Sequence, residues 1–168
     1  MTFCLDSTII KPENDVETKY AIILLHGYGG DGEDISMLAL NWKRYMPNTV
    51  FICPNGHEPC AINPTGYQWF DLTKEDSEYI LDQSIKAENV LKKFISEVKK
   101  EFKLSNNQIC LSGFSQGCMM SLNVGLTTEE KFSCIVGFSG KIINQKDLKN
   151  RIKNNTETLL IHGEADQI

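Results

Sequence analysis

The run Ile109-Cys-Leu-Ser-Gly-Phe-Ser-Gln-Gly-Cys-Met-Met120 constrains the fold more than any other stretch. A short apolar, strand-like segment passes through Gly113-Phe-Ser-Gln-Gly117 into a helix-like one. A serine between two such elements sits on a sharp strand-to-helix turn whose neighbours must be small, a demand that Gly113 and Gly117 meet. The turn lifts the Ser115 hydroxyl clear of the backbone. The next amide, that of Gln116, points into the same space and is placed to bind an oxyanion. An incidental glycine-serine turn needs neither the strand before it nor the helix after it, and both patterns are present.

The rest of the chain alternates in the same way. Tyr20 to Leu25 is a continuous apolar run, the pattern of a strand covered on both faces, and it ends in the glycine loop 26–32. Asp34 to Tyr45 follows as a helix, with Ile35, Leu38, Trp42 and Tyr45 at helical spacing. Thr49 to Cys53 reads as a second buried strand. Pro54 to Tyr67, with three prolines and two glycines, reads as an irregular loop over a site. Capped by Asp76 or Ser77, a long helix runs to about Phe102, with Leu81, Ile85, Leu91, Phe94, Ile95, Val98 and Phe102 as its apolar stripe and a solvated charged face opposite. Ile109 to Leu111, Cys134 to Phe138 and Thr158 to His162 are further strands, and Lys146 to Lys153 a short polar helix. Residues 1 to 18 read as an edge strand or loose arm. No repeat or linker divides the chain, so the expectation is a single domain over residues 1–168: α/β, with a doubly wound, mostly parallel sheet.

Composition narrows the function. With 168 residues, 41% hydrophobic and 23% charged, the chain suits one core of ordinary size. The net charge of -5, with acids and bases interspersed, offers no basic face to nucleic acid or anionic lipid. No apolar run approaches the ~18 residues of a membrane helix, and the start from Met1 to Asp6 lacks the basic-then-apolar pattern of a leader. A cytoplasmic protein is expected. The cysteines at 4, 53, 60, 110, 118 and 134 form no C-x-x-C pair and have no histidine at ligand spacing; they read as buried, reduced thiols, with no metal site.

The loop Gly27-Tyr-Gly-Gly-Asp-Gly32 also fits G-x-G-x-x-G, so a dinucleotide fold competes. That fingerprint wants an acid about 20 residues on, at the end of the second strand, to hold a ribose hydroxyl. Here that strand ends Ile52-Cys-Pro-Asn55 and no acid appears before Glu58. The other use of such a loop is to turn an amide toward a nucleophile, and the downstream Gly-Phe-Ser-Gln-Gly favours it.

These segments together resemble the α/β-hydrolase carboxylesterase and phospholipase family that includes the acyl-protein thioesterases. Leu25-His-Gly-Tyr-Gly-Gly-Asp31 resembles its oxyanion loop, Gln68-Trp-Phe-Asp71 its tryptophan segment beside the acyl pocket, and Gly113-Phe-Ser-Gln-Gly117 its nucleophile elbow. Phe138-Ser-Gly140 and Ile161-His-Gly-Glu-Ala-Asp166 match further family segments. The resemblance spans about Ala21 to Asp166. It implies Ser115 as nucleophile, Asp166 as triad acid, the amides of Tyr28 and Gln116 as oxyanion donors, Trp69 and Phe70 at the substrate pocket, a small acyl ester or thioester as substrate, and no cofactor.

The departure lies at the base. Triad partners of this fold come in the order serine, acid, histidine, yet only Gln167 and Ile168 follow Asp166. The expectation is that the family's last strand and helix, with the histidine, are absent. Of the histidines present, His26 shapes the oxyanion loop, and His162 belongs to the strand leading to Asp166. His57 lies at the end of a parallel strand, where it lines the pocket or, as the sharper alternative, substitutes as base; a solvated loop residue is the plain reading. Losing the base of such a triad costs on the order of 10⁶ in turnover. Three expectations follow: an impaired acyl hydrolase whose histidine comes from a complementing C-terminal fragment or a homo-oligomer, a non-catalytic acyl-binding remnant, and a nucleotide-binding domain.

Overall fold

Residues 3–13 and 16–166 are described in the computed structural model; residues 1, 2, 14 and 15 of the predicted N-terminal arm, and 167 and 168, lie outside them. The strands are β1 (Ser7–Ile10), β2 (Tyr20–Leu25), β3 (Thr49–Pro54), the two-residue β4 (Glu58–Pro59) and β5 (Tyr67–Gln68), β6 (Ile109–Phe114), β7 (Cys134–Phe138) and β8 (Thr158–Ile161). The helices are α1 (Gly32–Trp42), α2 (Ser77–Phe102), α3 (Gln116–Thr127) and α4 (Gln145–Arg151). The main sheet runs β1-β3-β2-β6-β7-β8. Only β1 is antiparallel, pairing Ser7 with Pro54 and Ile10 with Phe51. The parallel register sets Leu25 opposite Gly113 and Phe114 opposite Phe138, so the ends of β2, β6 and β7 lie level at one rim.

The apolar runs behave as central strands should: Ile23, Leu25, Val50, Ile52, Ile109 and Leu111 are fully buried. Against them α2 packs Ala87, Leu91, Phe94, Ile95 and Val98, and α3 packs Met119, Met120 and Val124. Asp76 caps α2 by accepting from the Tyr79 amide at 2.7 Å. On the opposite face, α1 covers Leu24, Phe51 and Cys53.

Three sequence expectations change. The helix α1 begins at Gly32, where Asp31 accepts from the Asp34 amide at 2.8 Å, and ends in a 3₁₀ turn from Lys43 to Tyr45. Ser36 and Ala39 join Ile35 and Trp42 on its inward face, while Leu38 and Tyr45 are exposed. The charged face of α2 is not wholly solvated. Glu88 is 2% exposed, accepts both terminal nitrogens of Arg151 at 2.9 Å, and accepts the Asn123 amide at 2.9 Å. Ile85, assigned to the stripe, is turned out instead. The cysteines are all free, but only Cys53, Cys60 and Cys118 are buried; Cys110 and Cys134 are half-buried and Cys4 exposed.

Candidate active site

The elbow stands where β6 leaves the sheet. Ser115 links β6 to α3 at φ 52° and ψ -114°, a left-handed-side conformation that costs a non-glycine residue about 1–3 kcal/mol. The strain is held from three sides. The Ser115 amide donates to the Phe138 carbonyl at 2.9 Å, and the Ser115 carbonyl accepts from Met119 at 3.1 Å. A Cβ on Gly113 would collide with the backbone of Gly117, and one on Gly117 with the Leu25 carbonyl. The start of α3 is thus pressed onto the end of β2, which brings the Gln116 amide beside the loop after β2.

That loop is equally fixed. His26 is 1% exposed, and its Nε2 accepts from the Gly56 amide at 2.8 Å. The proton therefore sits on Nδ1, which donates to the Gly27 carbonyl at 2.7 Å. Burial lowers the His26 pKa and keeps the ring neutral. With both ring nitrogens engaged, His26 is a structural brace for the loop. Gly29 takes φ 79°, donates its amide to the Tyr67 carbonyl at 2.9 Å, and accepts from Asn63 Nδ2 at 2.7 Å. Tyr67 returns its amide to Gly30 at 2.8 Å. The segment 54–67, read from sequence as an irregular loop, is the clamp on the glycine loop.

Trp69 and Phe70 are 0% exposed. The Trp69 indole donates to the His26 carbonyl at 3.0 Å, and its ring lies 5.4 Å from the His26 ring. The structure places both aromatics inside the core rather than along the open grooves near the elbow, which are lined by Tyr28, Phe114 and Leu38 on one side and by Phe138, Ser139 and His162 on the other. Sequence reasoning missed what holds them. The Gln116 side chain, 0% exposed, accepts the Trp69 amide through Oε1 at 2.8 Å and donates through Nε2 to the Phe70 carbonyl at 2.6 Å. A glutamine directly after the elbow serine was the available signal; its partners, 46 and 47 residues away, were not.

The remaining candidates lie apart in character. His57 is half-buried, with Nδ1 unpartnered among the described residues and Nε2 3.6 Å from Glu58 Oε1. Burial lowers its pKa, and the Glu58 carboxylate opposes the shift. Asp166 sits in the turn after β8, its amide donating to the Gly163 carbonyl at 3.0 Å and its Oδ2 3.5 Å from His162 Nε2. The Tyr28 phenol is pushed up by burial.

A mostly parallel sheet with helices on both faces, carrying a strained serine between β6 and α3, defines an α/β-hydrolase. The family model for phospholipase/carboxylesterase matches residues 6–168, and the chain belongs to that family. It is 32% identical over 165 residues to acyl-protein thioesterase 1 of Emericella nidulans, covering 88% of this chain and 69% of that one. It is 31% identical over 149 residues to acyl-protein thioesterase 1 of Schizosaccharomyces pombe, covering 83% of this chain and spanning 63% of that relative. The crystal structure of esterase PE8 superposes with a TM-score of 0.89 at 35% identity, covering 95% of this chain and 75% of that one. Zea mays acyl-protein thioesterase 2, at 22% identity and a TM-score of 0.69, shares the fold. The dinucleotide reading ends here, since the glycine loop belongs to an esterase fold.

Proposed function

We propose that residues 1–168 belong to one α/β-hydrolase domain, C-terminally incomplete, which once completed cleaves acyl esters or thioesters through an acyl-enzyme on Ser115. The observation that carries this reading is the conformation of Ser115, held at φ 52° by packing that tolerates only glycine two residues to either side. A strained serine persists where surrounding structure over-determines it, as at a nucleophile elbow.

In this reading a histidine takes the Ser115 proton as Oγ attacks the substrate carbonyl. The amides of Tyr28 and Gln116 bind the oxyanion, Asp166 holds the histidine in the productive tautomer, and water releases the acid. His26 is excluded as that base because Gly56 and Gly27 occupy its ring nitrogens. The chain order serine, acid, histidine assigns the base to polypeptide following Asp166, outside residues 1–168. The 168-residue chain then keeps the ~10³–10⁴ over water that oxyanion hole and binding supply without a base. No helix among the described residues is long and apolar enough to cross a membrane.

The test is phenyl ester hydrolysis by the chain extended with its natural downstream sequence, beside fluorophosphonate labelling of both lengths. Ser115→Ala should abolish turnover in the extended chain. An unchanged rate in that variant overturns the assignment. Labelling of Ser115 in the 168-residue chain would move the base to His57 or His162 within it.

A further inference from the structure

The face of the sheet that α1 leaves uncovered holds a feature the acyl chemistry does not use. Cys110 on β6 and Cys134 on β7 stand directly opposite each other in the parallel register. Neighbouring strands lie about 4.8 Å apart, inside the ~4.4–6.8 Å between Cα atoms that a disulfide spans. Both thiols are half-buried and open onto a cavity of about 300 Å³ walled by Trp42, Tyr45 and Met46. The same cavity is lined by Ser112, which is 1% exposed and whose hydroxyl has no hydrogen-bond partner among the described residues. A buried hydroxyl left unpartnered costs about 1–3 kcal/mol, so the cavity carries an unmet demand for a small polar visitor beside two sulfurs.

We propose that Cys134 and Cys110 form a peroxide-responsive pair, in which a hydroperoxide oxidises Cys134 and Cys110 closes a disulfide across the two strands. The sulfurs are not equivalent. The two thiols interact across the strand pair, which raises the Cys110 pKa and lowers that of Cys134. Burial of Cys134 and the nearby Glu157 carboxylate oppose the lowering, while a hydrogen bond from Ser133 adds to it. That polarity, beside the facing register and the cavity both sulfurs line, sets Cys134 as the attacking thiol and Cys110 as the resolving one, the arrangement of a redox-sensing pair. With hydrogen peroxide, the Cys134 thiolate forms a bond to one peroxide oxygen, the O–O bond breaks, and hydroxide leaves to become water on taking up a proton. The Cys110 sulfur then attacks the sulfenic sulfur, the S–O bond breaks, and the hydroxyl departs as water with the Cys110 proton. Two thiols lose two electrons and two protons, and one peroxide becomes two waters. Two of the buried thiols are held out of the reaction, because burial pushes Cys53 up to about 12 and Cys118 up to about 11.

The experiment is hydrogen peroxide treatment of the folded chain, followed by alkylation of remaining thiols, digestion without reduction, and tandem mass spectrometry. The expected product joins the peptide of Cys110 to that of Cys134, with fragmentation between Gly113 and Cys118 excluding Cys118, and a reductant reverses it. In Cys110→Ser the sulfenic acid persists and dimedone labels Cys134; in Cys134→Ser, Cys110 stays alkylatable and unlabelled. The proposal is overturned if wild-type protein, still folded by circular dichroism, keeps both thiols alkylatable at peroxide levels that oxidise free glutathione. It is equally overturned if dimedone marks Cys110 and not Cys134. Because the readout is covalent and on sulfur, it is independent of whether Ser115 is catalytic.

Discussion

The elbow and the turn after β8 sit at the same rim of the sheet, with β7 between their strands, yet they are held in opposite ways. Around Ser115 the backbone touches backbone, side-chain amides are spent on distant carbonyls, and Gln116, Trp69 and His26 are all at most 1% exposed. From Thr158 to Ile161 every residue is exposed, and the His162–Asp166 pair spans 3.5 Å with side chains 36% and 22% exposed. The strands are equally well paired, since β8 keeps its parallel register to β7 from Thr158 to Ile161. What differs is covering. Hydrogen bonds between strands position a backbone, but it takes packing on the faces to fix where a side chain points. The backbone around Tyr28, Ser115 and Gln116 is therefore pre-set in residues 20–140, whereas Asp166 is set by its own turn and its neighbours.

Mutations can break this contrast. Gly117→Ala should have the largest effect, because its methyl meets the Leu25 carbonyl, an immovable strand atom; a loss of about 3 kcal/mol or more is expected by thermal or urea unfolding. Next comes Glu88→Ala, which strips the buried partner of Arg151 and Asn123 and so unties α4, the helix leading into the exposed segment. A loss of about 3 kcal/mol is expected, moderated by the Arg151 link to Asp147, and a loss below about 1 kcal/mol would mean that α4 is held by other contacts. Gln116→Ala should cost about 2 kcal/mol by leaving the Trp69 amide and the Phe70 carbonyl without partners. At the far end of the scale, His162→Ala should change stability by no more than about 0.5 kcal/mol, as expected of an exposed pair.

The same contrast has a pH signature. Burial lowers the folded-state pKa of His26 below its ordinary 6.5. The unfolded chain then binds more protons than the folded one, so stability is complete above that value and is lost as pH falls from it toward the folded pKa. His57, also lowered by burial, adds to the same slope. Denaturant titrations from neutral pH downward should show stability falling with pH, and His26→Gln together with His57→Gln should flatten the curve. A slope that survives in the double variant would assign it to carboxylates.

The two halves were also unequally legible in the sequence. The strands β2, β3 and β6 stand out as apolar runs because burial on both faces leaves a local mark, β7 and β8 carry such runs although β8 is exposed throughout, and the elbow and Asp76 cap are local rules as well. Burial of Glu88 is not local, since its guanidinium partner lies 63 residues on. The inward face of α1 was read in part: Ile35 and Trp42 pack inward as their spacing indicates, while Ser36 and Ala39 are too small for a pattern of large apolar residues to register. The Gln116 clamp depended on where segment 68–70 lands, which no periodicity encodes. Trp69 and Phe70 carry family-like neighbours, and only the fold shows that they are closed inside the core.

That clamp makes the elbow optically addressable. The chain has two tryptophans, and Trp69 is hydrogen-bonded at its amide to Gln116, directly after Ser115, and at its indole to His26, just after β2. With Trp42 replaced by phenylalanine, the remaining emission reports from a site whose polarity changes when the turn at Ser115 opens. The geometry of the elbow can then be followed by fluorescence without a substrate.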